Sequence, residues 1–201
     1  MRTKFNLKFV ALLAILTSMY QGLVNAWVKN GQLGGYVHDT AMCQFIPPTA
    51  FHIVTGTWTQ AAGTVSGTIC MHKAAAAETN VINIPITIPS NSVALKAAYL
   101  KTIEIDYEIQ VAALTSLTAS LNQVNRVADT VGVTVTAITV TQDLAAAVAA
   151  STLAKHKLTV TLTTPQWINN NQYMLLKLAM VAPATTTVDL LSAVANFTER
   201  I

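Results

Sequence analysis

Three carboxylates stand at alternate positions of one segment, at Glu104, Asp106 and Glu108. Alternate positions of a β-strand share a face, with about 7 Å between successive side chains. Such a row can supply oxygen ligands to Ca²⁺ or the acid and base of a glycoside hydrolase. No D-x-D-x-D-G loop accompanies it, and a solvated face flanked by lysines such as Lys101 explains the same pattern. We therefore predict no catalytic residue and no metal site here.

The histidines are scattered along the chain, at His38, His52, His72 and His156. His52 and His72 meet if residues 51–72 form a hairpin, and paired imidazoles can bind zinc or copper. Isolated histidines are more often surface or hydrogen-bonded residues. No G-x-S-x-G elbow is present to turn His38 and Asp39 into part of a hydrolase triad. We expect neither an enzyme nor a bound cofactor.

Aromatic rings are the other candidate chemistry, because a flat ring stacks on the apolar face of a sugar. Trp58, Trp167 and Tyr173 are the candidates for glycan stacking, with Trp27 as a further tryptophan. Trp167 stands between Pro165 and the asparagines at 169–171, a turn-like setting that can expose a ring. Packing of these rings over the ends of a sandwich is the alternative.

Residues 99–111, which carry the carboxylates, form the clearest predicted strand, since every odd position from Ile103 to Val111 is apolar. Further strands are predicted at 51–59, 64–72, 80–88, 114–127, 131–141, 157–163, 173–181 and 187–198. The first two of these are expected to form a hairpin through residues 60–63. Only the Ala-rich residues 144–153 suggest a helical turn. The pattern predicts an all-β fold, an antiparallel β-sandwich or jelly roll.

Residues 1–26 are typical of a signal peptide, with Arg2, Lys4 and Lys8 before an apolar stretch at 9–20 and a cleavage site before Trp27. The apolar stretch is too short to span a bilayer comfortably. A retained anchor or a buried helix is the alternative. We expect a secreted protein in an extracellular or surface location, without a stable membrane span after processing.

Removal of that leader changes the charge of the protein. The chain holds 12 Lys and Arg against 9 Asp and Glu, and the three basic leader residues leave nine of each sign. A neutral mature chain gives nucleic-acid binding no electrostatic support. It also removes a barrier to self-association, so we predict a homo-oligomer formed through sheet edges.

Residues 27–78 are predicted as an irregular segment followed by the hairpin, and 79–201 as the sandwich core, with 51–78 in the same domain. Cys43 and Cys70 are the two cysteines. In an oxidising compartment they are candidates for one disulfide, and two separately buried thiols are the alternative. They lack the C-x-x-C spacing of a metal site.

Three runs, NVINIPITIPSNS at 80–92, HKLTVTLTTPQWIN at 156–169 and VANFT at 194–198, resemble uncharacterised small β-sandwich surface or virion proteins from phage and environmental sequence. The resemblance covers about residues 55–200 and implies a structural role. The leading hypothesis is a secreted, non-enzymatic subunit that self-assembles into a filament, layer or fibre. The alternatives are a phage virion surface component and a glycan-binding module, and a hydrolase built on the carboxylates comes third.

Overall fold

The computed structural model describes residues 39–63, 68–87, 98–127, 132–142, 155–169 and 171–200. The predicted signal peptide at 1–26 and the Ala-rich residues 144–153 lie outside these ranges. The strands are β1 (Asp39–Ile46), β2 (His52–Thr55), β3 (Trp58–Ala62), β4 (Ile69–Lys73), β5 (Glu78–Ile86), β6 (Ala98–Gln110), β7 (Ser116–Arg126), β8 (Val133–Ile138), β9 (Val140–Gln142), β10 (Lys155–Ile168), β11 (Gln172–Ala182) and β12 (Thr187–Arg200). A short 3₁₀ helix occupies Pro48–Ala50. The described ranges contain no helix long and apolar enough to cross a membrane.

The strands form two antiparallel sheets, which confirms the predicted β-sandwich. Sheet A has the order β3-β4-β12-β6-β10-β9, and β1 also pairs with β12. Sheet B has the order β2-β5-β11-β7-β8. Two strands pair with the edge of β12 that faces away from β6. β4 pairs with residues 188–190, and β1 pairs with residues 193–200.

The core lies between the sheets and follows the predicted alternation. On β6 the odd positions Ile103, Ile105, Tyr107 and Ile109 are at most 3% exposed. Matching inward sets come from the neighbouring strands: Ile82, Ile84 and Ile86 on β5, Leu158, Val160 and Leu162 on β10, and Met174, Leu176 and Leu178 on β11. Each fully buried aliphatic side chain contributes about 1.5–3 kcal/mol relative to exposure. Alternation with period 2 therefore decides which face of each strand the sandwich covers.

Two extended segments cross from one sheet to the other. β2 in sheet B continues through Gly56 and Thr57 into β3 of sheet A, and β8 in sheet B continues through Thr139 into β9 of sheet A. Gly56 has φ +96, and a Cβ there collides with the Asn80 side chain. Only glycine fits this corner, because it alone adopts positive φ without steric cost.

Three local predictions were wrong. The observed hairpin joins β3 to β4, because the corner at Gly56 ends the first strand early. β10 runs through Pro165, and an irregular register between Thr161 and Gln166 absorbs the proline. The segment predicted to be irregular contains β1, which pairs along β12 from Asp39 to Ile46.

Candidate functional site

The outer face of sheet A presents the side chains that the core does not use. Directly paired residues share a face. Cys43 of β1, Asn196 of β12, Thr102 of β6 and Thr161 of β10 follow one another in register and form one row across this face. A row of small polar side chains therefore crosses four strands.

A groove of about 680 Å³ lies on this face, within the range of small-ligand sites. It is lined by Ala41, Met42 and Cys43 of β1, Lys101 and Thr102 of β6, and Asn196, Phe197 and Thr198 of β12. By contrast, a void between the sheets beside Tyr107 measures about 10 Å³ and holds at most one water. The groove, not this void, has room for a ligand.

Two polar side chains in the groove, Asn196 and Thr198, differ in their hydrogen bonding. Asn196 Nδ2 donates a hydrogen bond to Thr102 Oγ1 at 3.1 Å. Thr198 is 5% exposed, and its Oγ1 has no hydrogen-bond partner among the described residues. A buried hydroxyl without a partner costs about 1–3 kcal/mol. Thr198 therefore places one buried hydroxyl without a partner at the groove wall.

An aromatic pair borders the groove. Tyr99 of β6 lies opposite Thr198 on one side and opposite Trp167 of β10 on the other. The ring centroids of Tyr99 and Trp167 are 4.5 Å apart, with the planes inclined by 44°. Both rings are partly exposed. The pair and the groove form one continuous surface, since both belong to the outer face of sheet A.

Only one of the three predicted stacking residues lies at this surface. Trp58 is 7% exposed and packs in the core, so it presents no face to a ligand. Tyr173 is 37% exposed but belongs to β11 in sheet B. Trp167 borders the groove, and its neighbour Tyr99 was not predicted. Tyr99 is the first residue of the strand predicted at 99–111, but its partner on β10 is set by a long-range register.

The carboxylate row lies further along the outer face of β6. Lys157 donates to Glu104 Oε2 at 2.7 Å, and this hydrogen bond, with the attraction of the charges, raises the pKa of the Lys157 ammonium group. Asp106 accepts a hydrogen bond from Ser192 at 2.8 Å. The ion pair with Lys157 agrees with the prediction that lysines balance the charge of these carboxylates. Glu108 differs from the predicted solvated face: it is 3% exposed, and its Oε2 has no hydrogen-bond partner among the described residues.

The three histidines that the structure describes do not come together. His52 belongs to sheet B, whereas His72 of sheet A contacts Asp189 at 2.6 Å through Nδ1. His156 stacks on Tyr107, and His38 lies outside the described residues. No group of three or more His, Cys, Asp or Glu in the described ranges is placed to hold a metal ion.

The predicted disulfide between Cys43 and Cys70 is wrong. Cys43 is exposed on β1, Cys70 is buried on β4, and both are free thiols. Cys43 lies opposite Asn196, while Met71, next to Cys70, lies opposite Leu190. In this antiparallel register Cys70 falls one position nearer, so five positions along β12 separate the two cysteines, roughly 17 Å at strand rise. A disulfide requires Cα atoms within about 7 Å.

No family model and no curated protein matches this chain. Among solved structures it is similar to a module from a study of promiscuous specificity in carbohydrate-binding modules of the β-sandwich superfamily, at 12% identity and TM-score 0.38, over 79% of this chain and 56% of that one. It is also similar to TmCBM61, solved with β-1,4-galactotriose, at 6% identity and TM-score 0.37, over 85% and 93% of the two chains. A third similar structure is a family 11 carbohydrate-binding module from Clostridium thermocellum, solved with a β-1,3-1,4-mixed-linked tetrasaccharide, at 8% identity and TM-score 0.27, over 84% and 91%. The chain thus spans 56% of the length of the first of these, and similarity at this level does not indicate a shared function.

Proposed function

We propose that this protein binds glycans on the outer face of sheet A. The observation that carries the proposal is the Tyr99–Trp167 pair beside a groove whose wall holds the unpartnered Thr198 hydroxyl. A sugar ring has an apolar C–H face and a rim of hydroxyls. Aromatic faces suit the first, and amide and hydroxyl side chains such as Asn196 and Thr102 suit the second.

The site is also largely preformed. Tyr99 and Trp167 are held on neighbouring strands, and Asn196 is oriented by its hydrogen bond to Thr102. Groups that are already fixed lose little conformational entropy when a ligand binds. Binding on this face is non-catalytic in the proposal and is expected outside the cell, where the predicted leader directs the chain.

The experiment is a glycan array with the mature chain, followed by titration calorimetry with the strongest-binding oligosaccharide. Trp167→Ala is expected to weaken binding about tenfold, since one stacked ring contributes about 1.4 kcal/mol. Trp167→Phe keeps a ring and is expected to retain most of the affinity. Tyr173→Ala is the matched control on the opposite sheet. The proposal fails if no glycan binds, or if Tyr173→Ala weakens binding as much as Trp167→Ala.

Self-association through sheet edges is a second candidate function, favoured by the edge strand β8. Val133 and Val135 are 62% and 61% exposed, and Val133–Ile138 contains no charged residue and no proline. Natural edge strands usually carry such residues because unpaired backbone groups are templates for strand addition. A virion surface component is a variant of this candidate, and neighbouring capsid or tail genes are expected if it holds.

A further inference from the structure

We propose that the groove prefers acidic glycans, with Lys101 as the residue that binds the anionic group of the sugar. This inference rests on the proposed glycan site and specifies its ligand class. The shared chemistry is a negative charge on a sugar ring, either the carboxylate of a uronic acid or a sulfate ester.

Lys101 owes its position to a β-bulge. On β12, Asn196 lies opposite Thr102 and the next residue, Phe197, lies opposite Leu100. Lys101 is therefore an extra residue on β6 with no partner in that ladder. A bulge redirects the side chain at the extra position. Lys101 is exposed and lines the groove, while Leu100 stays fully buried in the core.

The charge of Lys101 is uncompensated within the part of the chain that the structure describes. None of the ion pairs there includes Lys101. Glu104, the nearest carboxylate along β6, is occupied by Lys157 at 2.7 Å. Asp106 lies five positions from Lys101, roughly 16 Å at strand rise and about twice the screening length at physiological salt.

The groups around Lys101 also favour an anion. The Thr198 hydroxyl, which also lines the groove, has no partner among the described residues and can donate to an anionic oxygen. A hydrogen bond to an ionised acceptor is shorter and stronger than one between neutral groups. With respect to the described residues, the groove thus offers a cation and a hydroxyl donor without partners beside an aromatic pair.

The test compares three oligosaccharides of equal length: an oligogalacturonide, a sulfated galactan and a neutral galactan. Affinities are measured by calorimetry at 50 mM and 500 mM NaCl for the wild type, Lys101→Met and Lys155→Met. Lys155 is the matched control, since it is exposed on the same sheet and lies opposite Glu108, away from the groove. Melting temperatures verify that both variants fold.

The wild type is expected to bind an acidic ligand about tenfold more tightly than the neutral one at low salt, and this preference shrinks at 500 mM because the attraction is screened. Lys101→Met is expected to lower the preference to about twofold, whereas Lys155→Met leaves it unchanged. Preference for the uronate or for the sulfate identifies which anion is bound, and either supports the inference. Tight binding of neutral galactan that depends on Trp167 overturns this inference alone. An absence of binding to all glycans overturns the proposed function as well.

Discussion

Tyr99 of β6 and Trp167 of β10 lie opposite each other on the outer face of sheet A, with ring centroids 4.5 Å apart. Each residue lies next to a register irregularity: Tyr99 lies beside the extra residue Lys101 of β6, and Trp167 lies just after the shift between Thr161 and Gln166 on β10. The two strands therefore realign at the end of the sheet where the rings meet. A site built on strands holds its geometry more closely than one on loops.

Because the Thr198 hydroxyl has no partner among the described residues, its removal is expected to stabilise the fold and weaken glycan binding. Thr198→Val is expected to raise the free energy of unfolding by about 1 kcal/mol, because it removes a buried polar group that lacks a partner. Glycan affinity is expected to fall about threefold as a donor is lost. Urea denaturation and calorimetry measure the two effects.

Thr102→Val is the control for that substitution. Thr102 Oγ1 accepts the hydrogen bond from Asn196, so its removal is expected to destabilise the fold by about 1 kcal/mol. Equal destabilisation by the two variants contradicts the assignment of Thr198 as unpartnered.

Stability at high pH depends on Tyr107. Burial raises the pKa of Tyr107 to about 12, from an ordinary value of 10.0. Between these values the folded chain keeps a proton that the unfolded chain loses, so stability falls as pH rises, by about 1.4 kcal/mol per unit. Below about pH 10 this group adds no pH dependence.

Tyr107→Phe is expected to flatten that fall. Urea denaturation of both proteins at pH 9, 10 and 11 gives the two slopes directly. Identical slopes for the wild type and the variant, once the variant is shown to fold at pH 9, rule out Tyr107 as the source.

The two cysteines are expected to react very differently. Cys43 is exposed, whereas Cys70 is 1% exposed. Burial raises the pKa of the Cys70 thiol, and the nearby Asp189 carboxylate raises it further, so little reactive thiolate forms at neutral pH. A chromogenic disulfide reagent should titrate one thiol in the native protein and two in denaturant. Cys43→Ser should abolish the native reaction, and a native protein with no titratable thiol contradicts the free-cysteine assignment.

Edge pairing through β8 predicts that a charge on this strand favours the monomer. Val135→Lys is expected to lower the apparent mass in light scattering if the wild type self-associates, because a charged side chain on an edge strand opposes strand addition. Val111→Lys is the control, since Val111 is 66% exposed and follows β6, an interior strand. Equal effects of the two variants indicate a general charge effect and count against β8 as the contact.

Much of the fold could be predicted from the sequence because burial follows period 2. The inward faces of β5, β6, β10 and β11 are the apolar faces that the alternation indicates. On β8 the sequence pattern does not predict burial. Its valines are exposed because the strand lies at the edge of sheet B. An apolar run predicts a strand but does not show whether another element covers it.

The site could be predicted only in part. Trp167 was a candidate from its position near a turn, but Tyr99 becomes its neighbour through pairing between residues 68 positions apart. Trp58 was also a candidate, although it lies within a predicted strand. The corner at Gly56 starts β3 with Trp58 turned inward, a tertiary effect that no local pattern shows.

The most direct measurement of the central claim is the response of the tryptophan indole N–H signals in a ¹H–¹⁵N spectrum during titration with a bound oligosaccharide. The Trp167 signal, assigned with Trp167→Phe, is expected to shift progressively to saturation. The Trp58 signal, assigned in the same way, is expected to stay in place because that ring is in the core. A glycan that binds while the Trp167 signal does not move contradicts a binding site on the outer face of sheet A.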